Sequence, residues 1–286
     1  MSITFNETTR IFTLTTAHTT YQMQADAKGY LLHLYYGART AGEMDYLLNY
    51  ADRGFSGNPD SAGSDRTYSL DALPQEYPSL GTGDFRNYAV NIQNGDGSQC
   101  CNLVYISHKI TSGKYALNGL PAVRASEDEA ETLEIILADP VTKVELHLLY
   151  GVLEKEDIIT RSVVIKNAGE SQIIIKKAQS ACLDFLHGDY DLIQFYGRHA
   201  MERNLERVPV SHGSIRIGSR RGSSSHQHNP FVILADKDTT ESTGECYSAS
   251  FPYSGGFHAQ AEVDQFNQTR LVIGIDDYDF SWKLKK

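Results

Sequence analysis

Arg10-Ile11-Phe12-Thr13-Leu14-Thr15 and Thr20-Tyr21-Gln22-Met23-Gln24-Ala25 largely alternate apolar with polar side chains. Asp26-Ala27-Lys28-Gly29 then supplies a turn before Tyr30-Leu31-Leu32-His33-Leu34-Tyr35-Tyr36. A period of two puts one set of side chains on each face of an extended segment, so these read as strands with one face buried and one wet. Working outward, the pattern returns in Thr132-Leu133-Glu134-Ile135 and Lys143-Val144-Glu145-Leu146-His147-Leu148, and less cleanly in Thr160-Arg161-Ser162-Val163. Continuous apolar runs, Ile173-Ile174-Ile175 and Val232-Ile233-Leu234, suit strands covered on both faces, although a buried helical turn would look the same. Asn94-Gly95-Asp96-Gly97, Lys166-Asn167-Ala168-Gly169 and Ser254-Gly255-Gly256 punctuate the runs with residues that tolerate positive φ. Many short strands between such turns predict packed antiparallel sheets. Helical periodicity is scarce; the best stretch is residues 41–52, where Met44, Leu47 and Leu48 would share a face. No strand–helix alternation announces a (β/α)₈ barrel or a Rossmann unit. Residues 54–83, rich in Gly, Ser, Asp and Pro, form the longest irregular segment, and its specific aromatic and charged residues favour a functional loop.

Composition narrows the function. The 286 residues are 41% hydrophobic and 22% charged, within the range of folded globular proteins, and 17 Tyr and 11 Phe against one Trp suit pleated surfaces. The formal net charge is -10, and the short Arg220-Arg221 pair is the one basic feature, so nucleic acid and anionic membranes are not expected partners. Neutral carbohydrate is not disfavoured. Met1-Ser2-Ile3-Thr4-Phe5-Asn6-Glu7 has no basic, then apolar, leader pattern, and no run approaches the ~18 apolar residues of a spanning helix. Cys100, Cys101, Cys182 and Cys246 fit neither a zinc site nor a secreted disulfide framework, so a cytoplasmic protein with reduced thiols is expected.

Several chemical motifs fail on inspection. His226-Gln227-His228 places two imidazoles at a spacing that can bind metal on a strand, but no third ligand is evident. Asp276-Asp277 with Asp279 reads as solvated turn residues, because neighbours on a strand point to opposite faces. Ser223-Ser224-Ser225-His226 lacks a nucleophile elbow, and adjacent Cys100-Cys101 is poorly placed for a disulfide. No cofactor and no metal are expected.

Three longer segments resemble the N-terminal region of bacterial family-36 α-galactosidases. The first runs from Asp52-Arg53-Gly54-Phe55-Ser56 through Asp65-Arg66-Thr67-Tyr68-Ser69-Leu70-Asp71 and Leu73-Pro74-Gln75-Glu76-Tyr77-Pro78 to Gly83-Asp84-Phe85-Arg86. The second is Arg220-Arg221-Gly222-Ser223-Ser224-Ser225-His226-Gln227-His228-Asn229-Pro230-Phe231. The third is Glu262-Val263-Asp264-Gln265-Phe266, followed by Asp279-Phe280-Ser281-Trp282. Shorter matches lie at Leu117-Asn118-Gly119-Leu120-Pro121-Ala122 and Ile159-Thr160-Arg161-Ser162, so the likeness covers nearly the whole chain.

The resemblance implies an all-β fold, a β-supersandwich of two large antiparallel sheets with few short helices, formed by residues 1–286 as a single N-terminal domain. It also implies a retaining hydrolase of terminal α-galactosides such as melibiose and raffinose, working with two carboxylates ~5 Å apart on a barrel. A barrel needs roughly 250 residues of its own, so the catalytic pair is expected to lie outside this chain, and no catalytic residue is assigned. In tetrameric members an Asp of this domain hydrogen-bonds galactose in a neighbouring subunit, and Asp52 resembles it. The family's Tyr-Gly-x-Trp-Ala-x-Glu-Arg segment resembles Tyr196-Gly197-Arg198-His199-Ala200-Met201-Glu202-Arg203, with His199 in the place of Trp. Tyr196 and His199 are therefore candidate sugar contacts. Arg53, Arg66, Arg86, Arg221, His226 and His228 are read as loop-fixing or interface residues. The expected partners are α-galactoside sugars, the chain's own catalytic barrel and neighbouring subunits. Two other classes stay open: a stand-alone carbohydrate-binding module, and a mutarotase-like epimerase with His147 and Glu262 as acid–base candidates.

Overall fold

The computed structural model describes residues 2–54 and 57–286; Met1, and Phe55 and Ser56 of the first family-like segment, lie outside the described residues. The strands are β1 (Ile3–Asn6), β2 (Ile11–Thr15), β3 (Thr19–Ala25), β4 (Leu31–Ala38), β5 (Val90–Gln93), β6 (Val104–Ser112), β7 (Glu131–Ala138), β8 (Val144–Leu153) and β9 (Ile158–Asn167). They continue as β10 (Ile173–Phe185), β11 (Tyr190–Arg198), β12 (Met201–Pro209), β13 (Gly213–Ser219), β14 (His228–Asp236), β15 (Cys246–Ser250), β16 (Phe257–Val263), β17 (Thr269–Ile275) and β18 (Trp282–Leu284). The fold is all-β, and the segments read as strands are strands. The helix expected over residues 41–52 shrinks to a 3₁₀ turn at Asp45–Leu47, matched by a second turn at Asp60–Ala62. Among the described residues no helix is long and apolar enough to cross a membrane.

Strand pairing corrects the expectation of two large sheets. Four antiparallel sheets form: β1-β2-β3-β4; β6-β7-β8-β9; β12-β11-β14-β15; and β13-β16-β17-β10-β18, with β5 also on β10. The reason is visible in β10. Its register slips between Ile175 and Lys177 and again between Gln179 and Ala181, so its first half pairs β5 and β18 while its second half pairs β17. Bulges bend a strand and end its ladder.

The sheets pack through three apolar clusters. Phe12, Leu14, Tyr21 and Met23 of the first sheet meet Leu133, Ile135, Leu146 and Leu148 of the second. Leu192, Val232 and Leu234 meet Ile217, Phe257, Ala259 and Leu271 in another. The third explains why Leu31 to Leu34 are buried without alternation: Ile11, Leu32 and Leu34 on the other face of the first sheet are covered by Leu48, Tyr68, Leu70 and Leu73. Much of the irregular segment expected to be a functional loop is thus a structural lid over β1–β4.

That segment also delivers charge to the interior. Glu76 is fully buried and accepts hydrogen bonds from Tyr21 and Tyr150 (both 2.7 Å), faces His33 Nδ1 at 3.2 Å, and pairs with Arg161 Nη2 at 2.6 Å. Burial pushes its carboxyl up, but the Arg161 guanidinium and the His33 and Tyr21 hydrogen bonds outweigh that and hold it below its ordinary value. One residue earlier, Gln75 donates its backbone N–H to Asp184 and its side-chain amide to Asp84. Arg270, 1% exposed, makes a bidentate pair with Asp184 (both bonds 2.6 Å) and reaches Asp84 at 2.8 Å. Arg86 is buried beside them, bonding Asp84 and donating to the Leu70 and Leu73 carbonyls. Burial raises Asp84 and Asp184 as well, and the arginines reverse it, leaving both below the ordinary range.

Breaking one partner of a buried pair strands the other, which costs about 3–5 kcal/mol. Glu76→Gln should therefore lower the unfolding free energy from urea titration by that much, and Glu76→Gln combined with Arg161→Met should recover most of it; an unchanged single variant would contradict the arrangement. The depressed carboxyls also set a pH dependence. Their folded values lie below the unfolded ~4, so their stabilisation is fully present above about pH 5 and lost as pH falls through the folded values. Glu262, held above its ordinary value by burial, works in the opposite sense. Urea midpoints should stay level from about pH 7 to 5 and drop below about pH 4; a level curve down to about pH 3 would refute the charged interior.

Candidate functional site

Asp52 lies in the coil leading into the irregular segment. Its Oδ1 accepts the Gly54 N–H at 2.8 Å, closing an Asx turn, and its Oδ2 faces Arg66 Nε at 3.3 Å. The side chain remains 48% exposed. Arg66 also donates to the Gly54 carbonyl, and Arg53 lies 4.2 Å above the Phe266 ring, in the β16–β17 turn. Two arginines thus fix a bend that presents a half-exposed carboxylate.

Tyr196 and His199 sit on the β11–β12 hairpin. Tyr196 pairs with Asn204 on one side and His228 on the other, and is 42% exposed. His199 is exposed at the turn, where Ala200 takes φ +61° and donates its N–H to Glu202. Gly197 is required here: a Cβ would lie 2.2 Å from the Met201 carbonyl oxygen. Met201 and Leu205 on β12 are also exposed, so both strands of the tip stand clear of the apolar cores. No hydrogen bond, ion pair or ring contact joins Asp52 to Tyr196 or His199 among the described residues.

The hairpin tip adjoins a cavity of about 400 Å³, because Gly197 donates its N–H to the carbonyl of Gln227, one of its lining residues. Arg216, Arg220, Arg221, His228, His258 and Asp276 also line it. His226 and Gln227 form a turn rather than strand, so His226 is exposed while His228 opens β14, and the two do not share a strand face as their spacing suggested. Asp276 and Asp277 correct a second reading. The chain leaves the sheet at Ile275, strand alternation ends, and both carboxylates converge on Arg216 Nη2 at 2.7 and 2.6 Å. They are largely buried, not solvated.

Behind them His258 is fully buried, with neither ring nitrogen hydrogen-bonded, and its Nδ1 lies 3.7–3.8 Å from both carboxylates. Burial lowers its pKa to about 4, and Arg216, Lys177 and Arg220 together offset the opposing pull of Asp277. His258, Asp276 and Asp277 bring their donor atoms within 4.8 Å of one another, a metal-ligand constellation by distance. It does not suit a cation, since Arg216 already occupies the carboxylate oxygens and Lys177 stands 3.6 Å from Asp277. The acid–base candidates do not meet. His147 bonds Glu134 between β8 and β7, whereas Glu262 lies on β16 accepting the Asn87 N–H.

Residues 29–285 match the glycosyl hydrolase family 36 N-terminal domain. The chain is 64% identical to the bifunctional alpha-galactosidase/sucrose kinase AgaSK of Mediterraneibacter gnavus over 99% of its own length and 30% of that protein's. It is 45% identical to alpha-galactosidase AgaA of Geobacillus stearothermophilus over 100% of its own length and 39% of that protein's. The galactosidase domain of AgaSK superposes with a TM-score of 0.97 over 99% of this chain and 40% of that one. A variant of AgaA in complex with raffinose superposes at 0.93, with 44% identity, over 96% of this chain and 38% of that one. The chain therefore spans well under half the length of these relatives. By the extent of the match and the identity to these relatives, it belongs to the glycosyl hydrolase family 36 N-terminal domain family.

Proposed function

We propose that residues 1–286 act as one non-catalytic unit of a longer α-galactosidase, supporting its assembly and completing the sugar pocket of a neighbouring subunit. The observation that carries this reading is full-length similarity to a minor fraction of proteins named as α-galactosidases. The hydrolytic carboxylates then belong to the remainder of the longer protein, and this chain's part is recognition and docking.

Asp52 suits recognition. One oxygen is engaged by its own turn and the other is open beyond Arg66, and a carboxylate can accept charge-assisted bonds from sugar hydroxyls. Tyr196 and His199, on a tip free of the cores, suit a contact with a second chain. Phe85 supports docking: it is 82% exposed, yet held rigidly between buried Asp84 and Arg86. An apolar side chain fixed in the open is a natural contact for a covering surface. The substrates of this reading are terminal α-galactosides; solved relatives hold raffinose and stachyose. Four free cysteines, two of them buried, fit a reducing cytoplasm.

The 286-residue chain alone should not hydrolyse a chromogenic α-galactoside, and clear turnover by pure chain would refute the non-catalytic role. In the longer protein, Asp52→Ala should raise KM for raffinose about tenfold or more, the loss of one charge-assisted hydrogen bond, with an unchanged melting temperature. Unchanged KM would remove Asp52 from the pocket.

A further inference from the structure

We propose that the cavity beside the tip of the β11–β12 hairpin binds a phosphate-like oxyanion, free or carried on a small molecule. This goes beyond the α-galactosidase reading and does not depend on it.

Three observations carry the inference. The first is sign. Arg216, Arg220 and Arg221 line the cavity against a single lining carboxylate, Asp276. Asp277 just behind is matched by Lys177 at 3.6 Å. A net positive hollow in a chain of formal charge -10 concentrates small anions locally.

The second is spare donors. Arg221's guanidinium has no hydrogen-bond or ion-pair partner among the described residues. Arg220 lies 3.8 Å above the Tyr278 ring and only 3.8 Å from Asp276, so its fork is not spent on a close bond. His228 Nδ1 and both nitrogens of His258 are buried without partners. A buried polar atom left unpaired costs about 1–3 kcal/mol, and an imidazole carries at least one N–H, so each of the two rings brings a donor to the cavity wall beside the arginines for an occupant that accepts hydrogen bonds.

The third is what the walls exclude. A cation would meet Arg216 on the carboxylates. A neutral sugar favours an open aromatic face beside its polar contacts, but no Phe, Tyr or Trp is among the described lining residues, and the ring of Tyr278 is covered by Arg220. The cavity volume of about 400 Å³ exceeds a bare anion, leaving room for a small group attached to it. A bound anion would also oppose Arg216, Lys177 and Arg220, which, with burial, keep His258 unprotonated, so His258 should take up a proton more readily when the site is filled.

The test titrates sulfate, inorganic phosphate and glycerol phosphate into the chain at constant ionic strength set by chloride. Calorimetry is combined with proton–nitrogen spectra of the histidine rings. The expected result is one saturable site shared competitively by all three, with ring shifts confined to His228 and His258. Sulfate, whose own charge does not titrate near neutrality, should move the His258 titration to higher pH. Arg221→Gln removes an exposed, unpaired side chain and should weaken binding about tenfold or more without changing the melting temperature, while Arg203→Gln on the hairpin should leave it unchanged. Non-saturating heats, or equal losses in the two arginine variants, would reduce the effect to general charge screening and overturn the proposal.

Discussion

A carboxylate with no exposed surface, Glu76, is the point on which the interior depends. Its donors come from β3, β4, β8 and β9, so two facing sheets are tied to a residue that belongs to neither. The residue before it enters the Arg86–Asp84–Arg270–Asp184 network, and the residue after it, Tyr77, donates its hydroxyl to the Gln179 carbonyl. Three consecutive residues thus pin the irregular segment to the facing sheets and to the β17-paired half of β10. Apolar packing alone would permit several placements of a segment poor in regular structure. Buried ions permit few, because a displaced charge finds no substitute partner.

This arrangement explains what the amino-acid pattern revealed and what it hid. Strand periodicity is a local property, and β2, β3, β4, β7 and β8 were all legible from it. Sheet membership is not local: periodicity does not mark the bulges at Ile175/Lys177 and Gln179/Ala181, and the expectation of two large sheets rested on the family resemblance. The irregular segment was legible as special but not as interior, since Gly, Ser and Asp are normally read as solvent-facing. A signal for the second network did exist. Asp184 and Arg270 each interrupt an apolar strand, and they are direct partners in the β10–β17 register. Opposite charges embedded in two such runs argue for a buried pair.

The candidate site divides in the same way. Asp52, Tyr196 and His199 were named through likeness to a family, and their surroundings are simple: an Asx turn and a hairpin tip. The basic cavity was hidden because Arg216, His258 and Asp276–Asp277 are far apart in sequence and converge only where β13, β16 and β17 end together. The Arg220-Arg221 pair, noted along the chain as a basic feature, marked its rim.

β12 lies at the outer edge of its sheet, with apolar Met201 and Leu205 in the open. An unsatisfied ladder of this length invites a stranger's strand to zip onto it. The chain places Glu202 and Arg203 between those apolar residues and Glu206 and Arg207 directly after them, and Arg207 is further clamped to Asp191 and the carbonyls of Asp236, Lys237 and Thr239. Charges of both signs make indiscriminate edge pairing unfavourable while leaving the edge open to a partner whose own charges run in the complementary order. The hairpin can therefore stand proud of the fold without becoming a nucleus for aggregation.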